Sequence, residues 1–212
     1  MWSNDSQHAD RRVSGGLRVA GDFGCILARF PEPLAQQVRD LGLSIPDQFI
    51  SSEEGREDKP HVTIKFGLHT SDPDEVRRKL AGQPPVRATV GPMCVFHGDR
   101  NPYVVLRFQI SGIDLVRLNR YISREFECTD TWPSYRPHAT IAYLIKNDED
   151  PYYYQKFYED SLVGTEIVFD TVEFSTADRQ KFDIPLGGTW KTAAALELLG
   201  IAKEMTRNGP QQ

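Results

Sequence analysis

Two short segments with nearly the same sequence place the strongest constraint on how this chain folds. They read Pro60-His61-Val62-Thr63-Ile64 and Pro137-His138-Ala139-Thr140-Ile141. Both alternate and are rich in β-branched residues, which is typical of β-strands. Because successive side chains of a strand point to opposite faces, each segment places its histidine and its threonine on one face. We therefore predict two related strands, each presenting an imidazole and a hydroxyl and backed by an apolar face.

The remaining sequence predicts similar elements around these two strands. The first half reads as a strand over Asp22–Phe30, a helix over Pro33–Leu41 that ends at Gly42, a charged loop, the strand His61–Leu68 and a helix over Asp72–Leu80. The second half reads as a hairpin of Val86–Phe96 with Tyr103–Ile110, a helix over Ile113–Phe126, the strand His138–Ile145, a short helix over 151–158, strands over Ile167–Ser175 and Phe182–Leu186, and a helix over Thr189–Met205. This order predicts an α+β fold with two similar lobes. We assign residues 1–16 to a flexible tail, 17–188 to the main domain and 189–212 to a C-terminal helix and tail.

Composition excludes several classes of protein. A formal charge of -5 argues against a broad basic surface for long nucleic acids, whereas a small anionic substrate needs only local charge. The three cysteines are widely spaced and form no Cys-x-x-Cys pair, which argues against a zinc site or a disulfide framework. No apolar run approaches the length of a membrane helix, and the first residues lack a signal-peptide core. We therefore expect a cytoplasmic protein that does not bind membranes.

Paired histidines suit the cleavage of a phosphodiester. In-line attack needs a base for the nucleophile and an acid for the leaving oxygen, and histidine serves in either role near neutral pH. Thr63 and Thr140 are placed to donate hydrogen bonds to the phosphate oxygens. The alternative is that both segments are core strands with satisfied histidines. A metal site is the other rival, but metal-binding spacings such as His-Glu-x-x-His are absent from the sequence, so we expect neither metal nor cofactor.

The two His-x-Thr strands resemble those of the 2H phosphoesterase superfamily, over roughly residues 20 to 187. The resemblance implies a bilobal fold of two pseudo-twofold-related antiparallel sheets flanked by helices, with a central groove. It assigns catalysis to His61, Thr63, His138 and Thr140. The segments PHVTIKFGL, RPHATIAYLIK and VEFST…FDIPL are further similar to the phage-type anti-CBASS enzymes, which cleave cyclic oligonucleotide messengers. That likeness implies that a ribose 2′-hydroxyl attacks the phosphate without the help of a metal. It also implies that the protein acts in the cytosol of a bacterium or of a phage-infected host.

Five more residues are candidates for binding the substrate. Trp132 and Tyr135 precede the second motif and offer aromatic surfaces for bases, although loop packing explains them equally well. Phe23 lies before the first strand, where core packing is the alternative. Lys65 shares a face with His61 by alternation and could add a positive charge to the site. The alternative is that it is a solvated lysine at the edge of the sheet. Glu173 alternates away from its apolar neighbours, and in the anti-CBASS relatives an acidic residue on a late strand contacts the substrate.

Other functions remain open on the sequence alone. The chain could process RNA ends as a 2′-5′ RNA ligase or a 2′,3′-cyclic phosphodiesterase, or bind nucleotides without catalysis. The same alternation assigns Tyr143 to the core face, so Tyr143 is not a candidate.

Overall fold

The computed structural model describes residues 23–97, 102–130, 134–147 and 153–189, which form an α+β fold. The strands are β1 (Gly24–Arg29), β2 (His61–Leu68), β3 (Val86–His97), β4 (Tyr103–Ser111), β5 (His138–Ile145), β6 (Glu166–Phe169), β7 (Thr171–Ser175) and β8 (Lys181–Pro185). The α-helices are α1 (Leu34–Ser44), α2 (Pro73–Leu80) and α3 (Ile113–Glu125), with short 3₁₀ turns at Asp47–Phe49 and Tyr153–Phe157.

The described strands form two antiparallel sheets of four strands each. Their orders are β2-β1-β7-β8 and β5-β4-β3-β6. In each sheet a histidine-bearing strand lies at one edge, beside the strand that comes before a helix: β1 and α1 precede β2, and β4 and α3 precede β5. This confirms the bilobal fold of two related antiparallel sheets with helices.

The two lobes are not simply the two halves of the chain. The first sheet is completed by β7 and β8, which come from the end of the described sequence. The prediction of one strand over Ile167–Ser175 is wrong, because the chain leaves the second sheet after Phe169 and enters the first at Thr171. The buried positions carry a signal of this break: they are odd-numbered at Ile167 and Phe169 but even-numbered at Val172 and Phe174, so the alternation changes phase at Asp170.

One continuous apolar core joins the sheets and helices. It contains Val38 from α1 and Leu118 from α3, together with inward side chains of both sheets. Fully burying such a side chain is worth about 1.5–3 kcal/mol. Helix α1 runs past the predicted end at Gly42 to Ser44. Gly42 does not cap the helix: it is buried against β5, where an added Cβ would lie 3.3 Å from the carbonyl oxygen of Ile141.

Each histidine strand is held by the segment that follows the helix of the other lobe. Bridges from Ile50 to Leu144 and from Arg56 to Ala142 cover the outer edge of β5. A bridge from Leu68 to Cys128 covers the outer edge of β2. Helix α3 also reaches β2, since Asn119 Nδ2 donates a 2.7 Å hydrogen bond to the Ile64 carbonyl. These reciprocal contacts bring β2 and β5 against each other.

Within the described ranges, none of the helices has the length and apolar character needed to traverse a lipid bilayer. The tail predicted over residues 1–16 and the helix predicted over Thr189–Met205 lie outside the described residues, apart from Thr189 itself. The proposed division of the chain at residues 17 and 188 therefore stays a prediction.

Candidate active site

Strand pairing places the four motif side chains on matching faces of the two sheets. His61 lies opposite Arg29 and Thr63 opposite Leu27 in the first sheet. The residues between and after them, Val62 and Ile64, are fully buried in the core. We call the side of each sheet that carries its motif histidine the histidine face.

The second sheet repeats this arrangement residue by residue. His138 lies opposite Gln109, and Thr140 lies opposite Arg107. Ala139 and the residue after Thr140 point into the core instead. The two motifs therefore occupy equivalent positions on two edge strands that contact each other.

A β-bulge follows the threonine in both strands. The register shifts so that Lys65 pairs with Ile26, and Ala142 pairs with Leu106. A bulge adds one residue to a strand and so changes the phase of its side chains. Strict alternation therefore fails beyond Ile64 and Ile141. The faces predicted for Lys65, Phe66 and the residues after Ile141 are reversed, and a second shift at Gly67 returns Leu68 to its predicted core face.

The bulge moves Lys65 and Tyr143 away from their predicted faces. Lys65 lies opposite a core residue, is 5% exposed, and its ammonium group is bound to the carboxylate of Asp130. Tyr143 lies opposite Val105, which belongs to the histidine face, and packs in a small cluster with Tyr103 and Val105 that is separate from the main core. The assignment of Tyr143 to the core face is therefore wrong.

Both imidazole rings are oriented by the same backbone contact. His61 Nδ1 lies 2.9 Å from the carbonyl oxygen of Lys59, and His138 Nδ1 lies 2.9 Å from that of Arg136. A carbonyl oxygen only accepts hydrogen bonds, so Nδ1 carries the hydrogen in each ring. Proton exchange then takes place at Nε2 in both histidines.

A buried carboxylate lies close to the first histidine. Glu57 Oε2 is 3.9 Å from His61 Nδ1, and Glu57 Oε1 accepts a hydrogen bond of 3.0 Å from the backbone N–H of Lys59. Burial raises the pKa of Glu57 above its usual value, although the nearby His61 opposes this. Glu57 thus supports both the ring and the loop that carries the ring's backbone acceptor.

Glu173, which was predicted to contact the substrate, instead forms a salt bridge with an arginine. Its carboxylate is 8% exposed and accepts bonds of 2.7 and 2.8 Å from the guanidinium of Arg29. Lys181 Nζ lies 3.5 Å from the same carboxylate. Burial opposes ionisation, but these cations hold the pKa of Glu173 below its usual value. Since Arg29 is the residue opposite His61, Glu173 holds the guanidinium of Arg29 in a fixed position near the first histidine.

The two threonine hydroxyls are candidates for contacting a substrate. Within the described part of the chain, neither Thr63 Oγ1 nor Thr140 Oγ1 makes a hydrogen bond to protein, and Thr140 is 5% exposed. Hydroxyl donors placed in this way can hold the nonbridging oxygens of a phosphate.

Tyr135 joins the two motifs. Its hydroxyl donates a 3.1 Å hydrogen bond to the backbone carbonyl of Thr63, from the segment just before His138. Burial, aided by Cys25, raises the pKa of Tyr135, so the hydroxyl stays protonated at neutral pH. The side chain is partly buried against the core, and its polar end is used within the protein.

Phe23 packs at the far end of the first sheet, and Trp132 lies outside the described residues. The Phe23 ring is 6% exposed and stacks on His69 with their centroids 5.3 Å apart. His69 also contacts Thr129 Oγ1 at 2.8 Å and Glu127 at 3.0 Å.

Several neighbours of the motifs were not found by sequence reasoning. Arg29, Gln109 and Arg107 lie opposite motif residues, and Glu57 lies beside His61. Their positions depend on strand register, and no local motif marks them. In the described ranges, three or more His, Cys, Asp or Glu side chains nowhere group together in a way that would hold a metal ion.

Comparison with known proteins identifies the fold. A family model described as the 2′-5′ RNA ligase superfamily matches residues 30–180. The crystal structure of TT0787 of Thermus thermophilus superposes with a TM-score of 0.56 at 14% sequence identity, covering 78% of this chain and 98% of that chain. This likeness supports the same fold.

Two other solved structures superpose less closely. Kluyveromyces marxianus Usb1 gives a TM-score of 0.48 at 10% identity, covering 78% of this chain and 98% of that chain. E. coli LigT in its apo form gives 0.47 at 15% identity, covering 78% and 94%. A search of curated proteins finds no significant match.

Proposed function

Because this chain belongs to the 2′-5′ RNA ligase superfamily, we propose that it is a metal-independent phosphodiesterase that uses His61 and His138 as general acid and base. The observation that carries this proposal is the matched orientation of the two rings. Each donates Nδ1–H to the carbonyl two residues earlier in the chain, on equivalent edge strands that contact each other. A histidine with a purely structural role would not require a second histidine with the same tautomer at the equivalent position of the other lobe.

The proposed reaction is an in-line displacement at phosphorus. Nε2 of one neutral histidine takes the proton of a ribose 2′-hydroxyl, and the 2′-oxygen attacks the adjacent 3′-phosphorus. The bond from phosphorus to the 5′-oxygen breaks, and Nε2–H of the other, protonated histidine donates its proton to that leaving oxygen. The products are a 2′,3′-cyclic phosphate and a 5′-hydroxyl. The polarity of the bound strand decides which histidine acts as base.

Charge on the phosphate is balanced by hydroxyls and a nearby cation. Thr63 and Thr140 donate hydrogen bonds to the nonbridging oxygens, which carry the developing charge. Arg29 is held by Glu173, and Lys181 lies beside the same carboxylate, so this cluster on the first sheet carries two cations against one anion. The two imidazole rings and Arg29 are already held in place by hydrogen bonds, so these groups do not have to reorganise during the reaction.

We propose cyclic oligonucleotide messengers with 3′-5′ linkages as the substrate, in an immune-evasion role of the anti-CBASS type. Support comes from the resemblance of the two motif strands and the VEFST segment to those enzymes. The charge of -5 also fits a small substrate bound by local groups better than a long nucleic acid.

Processing of RNA ends is the second candidate function. It is favoured by the description of the matching family model, which names 2′-5′ RNA ligases. In this case the histidines would act on a 2′,3′-cyclic phosphate end or on a 2′-5′ linkage.

A substrate panel separates the two candidates. The protein is incubated with cyclic dinucleotides, cyclic trinucleotides and RNA carrying a 2′,3′-cyclic phosphate, all in the presence of EDTA, and products are resolved by chromatography. We expect linearised products from a cyclic oligonucleotide, and none from its 2′-deoxy analogue. Conversion of RNA ends alone would select the second candidate. Cleavage of the 2′-deoxy analogue would exclude 2′-hydroxyl attack, and binding without any product would leave a noncatalytic module.

A further inference from the structure

Arg107 lies on the histidine face of the second sheet, one step from the catalytic motif. Alternate residues of β4, from Val104 to Ile110, point into the main core, so Arg107 points the other way. It is the direct strand partner of Thr140, and the next residue on the same face, Gln109, is the partner of His138. Directly opposite side chains have Cβ atoms about 5 Å apart. Arg107 is therefore a neighbour of the site that sequence reasoning did not find.

The guanidinium of Arg107 leans away from the scissile position. Its Cζ atom lies 4.8 Å from the centroid of the Phe96 ring, on β3. In the sheet order, β3 is on the opposite side of β4 from β5, which carries Thr140. The Phe96 ring helps to hold the guanidinium group in place, since cations are attracted to the faces of aromatic rings. The positive charge is thus fixed beside the motif, at a distance from the threonine hydroxyl.

Within the described part of the chain, the charge of Arg107 has no acidic partner. Arg29 is bound to Glu173, Lys65 to Asp130, and Lys181 lies near Glu173. Among the described residues, Arg107 makes no salt bridge, and its Nε is buried with no hydrogen-bond acceptor. The buried Nε is out of reach of an external ligand, but the terminal Nη1 and Nη2 are not buried and make no hydrogen bond within the described residues, so an anion can bind there. The site therefore contains one fixed cation whose natural partner is external.

We propose that Arg107 binds a phosphate group of the substrate other than the one that is cleaved. This inference rests on the proposed phosphodiesterase function, because the two histidines and two threonines define the scissile phosphate. The position of the guanidinium, over Phe96 and away from Thr140, suits the neighbouring phosphate of an oligonucleotide. A nucleotide with a single phosphate would leave Arg107 without its anion. The enzyme thereby selects substrates with at least two phosphates.

Binding of ligands that cannot react tests this selection without requiring turnover. The probes are cyclic di-deoxyadenylate, with two phosphates, and deoxyadenosine 3′-monophosphate, with one; neither has a 2′-hydroxyl. Their dissociation constants are measured by calorimetry for the wild type, Arg107→Met and Arg107→Lys. We expect Arg107→Met to weaken binding of the cyclic probe about tenfold or more, as for loss of a charged hydrogen bond. Its effect on the monophosphate should stay below about twofold, and Arg107→Lys should retain part of the affinity.

Arg87→Met is the matched control, because it removes the same charge from an exposed position on the histidine face of β3, far along the strand from Phe96. It should change neither constant. Thermal unfolding and circular dichroism establish that each variant is folded. Equal weakening of both probes would place Arg107 at the scissile phosphate and overturn the proposal. Unchanged binding of the cyclic probe by Arg107→Met, or no binding of it by the wild type, would also overturn it. Turnover of ribonucleotide substrates by the wild type is measured separately and tests the function itself.

Discussion

At the scale of single residues, the backbone determines what each motif histidine can do. A carbonyl oxygen two residues earlier fixes the Nδ1 hydrogen, and so sets Nε2 as the atom that exchanges protons. We expect His61→Ala and His138→Ala each to lower kcat by about 10²–10⁴-fold, the usual contribution of a general acid or base. The measurement is single-turnover cleavage of whichever substrate the panel identifies. Full activity in either variant would rule out the two-histidine mechanism.

Two carboxylates near the first histidine should give opposite pH dependence of stability. Burial raises the pKa of Glu57, so the folded state binds its proton more tightly than the unfolded state does. The contribution of Glu57 to the free energy of unfolding is complete below its pKa in the unfolded state, about 4.3. It is lost as pH rises through its pKa in the folded state. Burial opposes ionisation of Glu173 too, but Arg29 and Lys181 lower its pKa overall. Its contribution is complete above about pH 4.3 and is lost as pH falls through the folded pKa.

Urea unfolding of the wild type, Glu57→Gln and Glu173→Gln between pH 3 and pH 7 measures both effects. The stability of the wild type relative to Glu57→Gln should fall as pH rises from about 4.3. Relative to Glu173→Gln it should fall as pH drops below about 4.3. Each variant serves as the control for the other, and slopes of the same sign would contradict the two opposite shifts.

At the scale of strands and turns, the sequence predicts the start of each motif strand but not its continuation. Alternation correctly predicts that His61 and Thr63 share a face, and that His138 and Thr140 do. The two residues of each pair are only two positions apart, so no irregularity of the strand lies between them. The bulge after each threonine depends on pairing with β1 and β4, which no local pattern records. The faces of Lys65 and Tyr143 were therefore missed, and so was Arg107, whose place beside Thr140 exists only through pairing.

A glycine in β2 holds the strand against the segment that follows α3. Gly67 has φ +91°, and an added Cβ would lie 2.1 Å from the carbonyl oxygen of Thr129. The same contact includes a 2.8 Å hydrogen bond from the Thr129 N–H to the Gly67 carbonyl. We expect Gly67→Ala to lower the free energy of unfolding by about 2–4 kcal/mol, through backbone strain and steric overlap.

Gly55→Ala is the matched control for Gly67→Ala. Gly55 also has a positive φ, of 76°, but an added Cβ there would have no atom within 4 Å. It should cost about 1 kcal/mol, from the backbone conformation alone. Equal costs in urea unfolding would show that the contact between Gly67 and Thr129 contributes no stability.

At the scale of the whole molecule, the candidate active site depends on segments exchanged between the lobes. Each motif strand has its outer edge covered by a segment that follows the helix of the other lobe. The first sheet also needs β7 and β8 from the end of the described chain. Sequence order alone predicted two similar lobes. It did not show that the chain crosses from one sheet to the other at Asp170, which only the change of phase in the buried positions marks. Lobes connected in this way leave no natural boundary at which the chain could divide.

The continuous core predicts that both lobes unfold together. One apolar cluster contains Val62 and Ile64 from the first sheet and Leu106 and Ile141 from the second. Breaking either lobe would expose apolar surface of the other, so no half-folded state gains stability. We expect amide hydrogen exchange to give the same opening free energy for the central amides of β1 and β4. Asn119→Ala removes the hydrogen bond to Ile64 and should lower both values by about 1 kcal/mol, with the two still equal. A drop confined to the first sheet would mean that the lobes open independently.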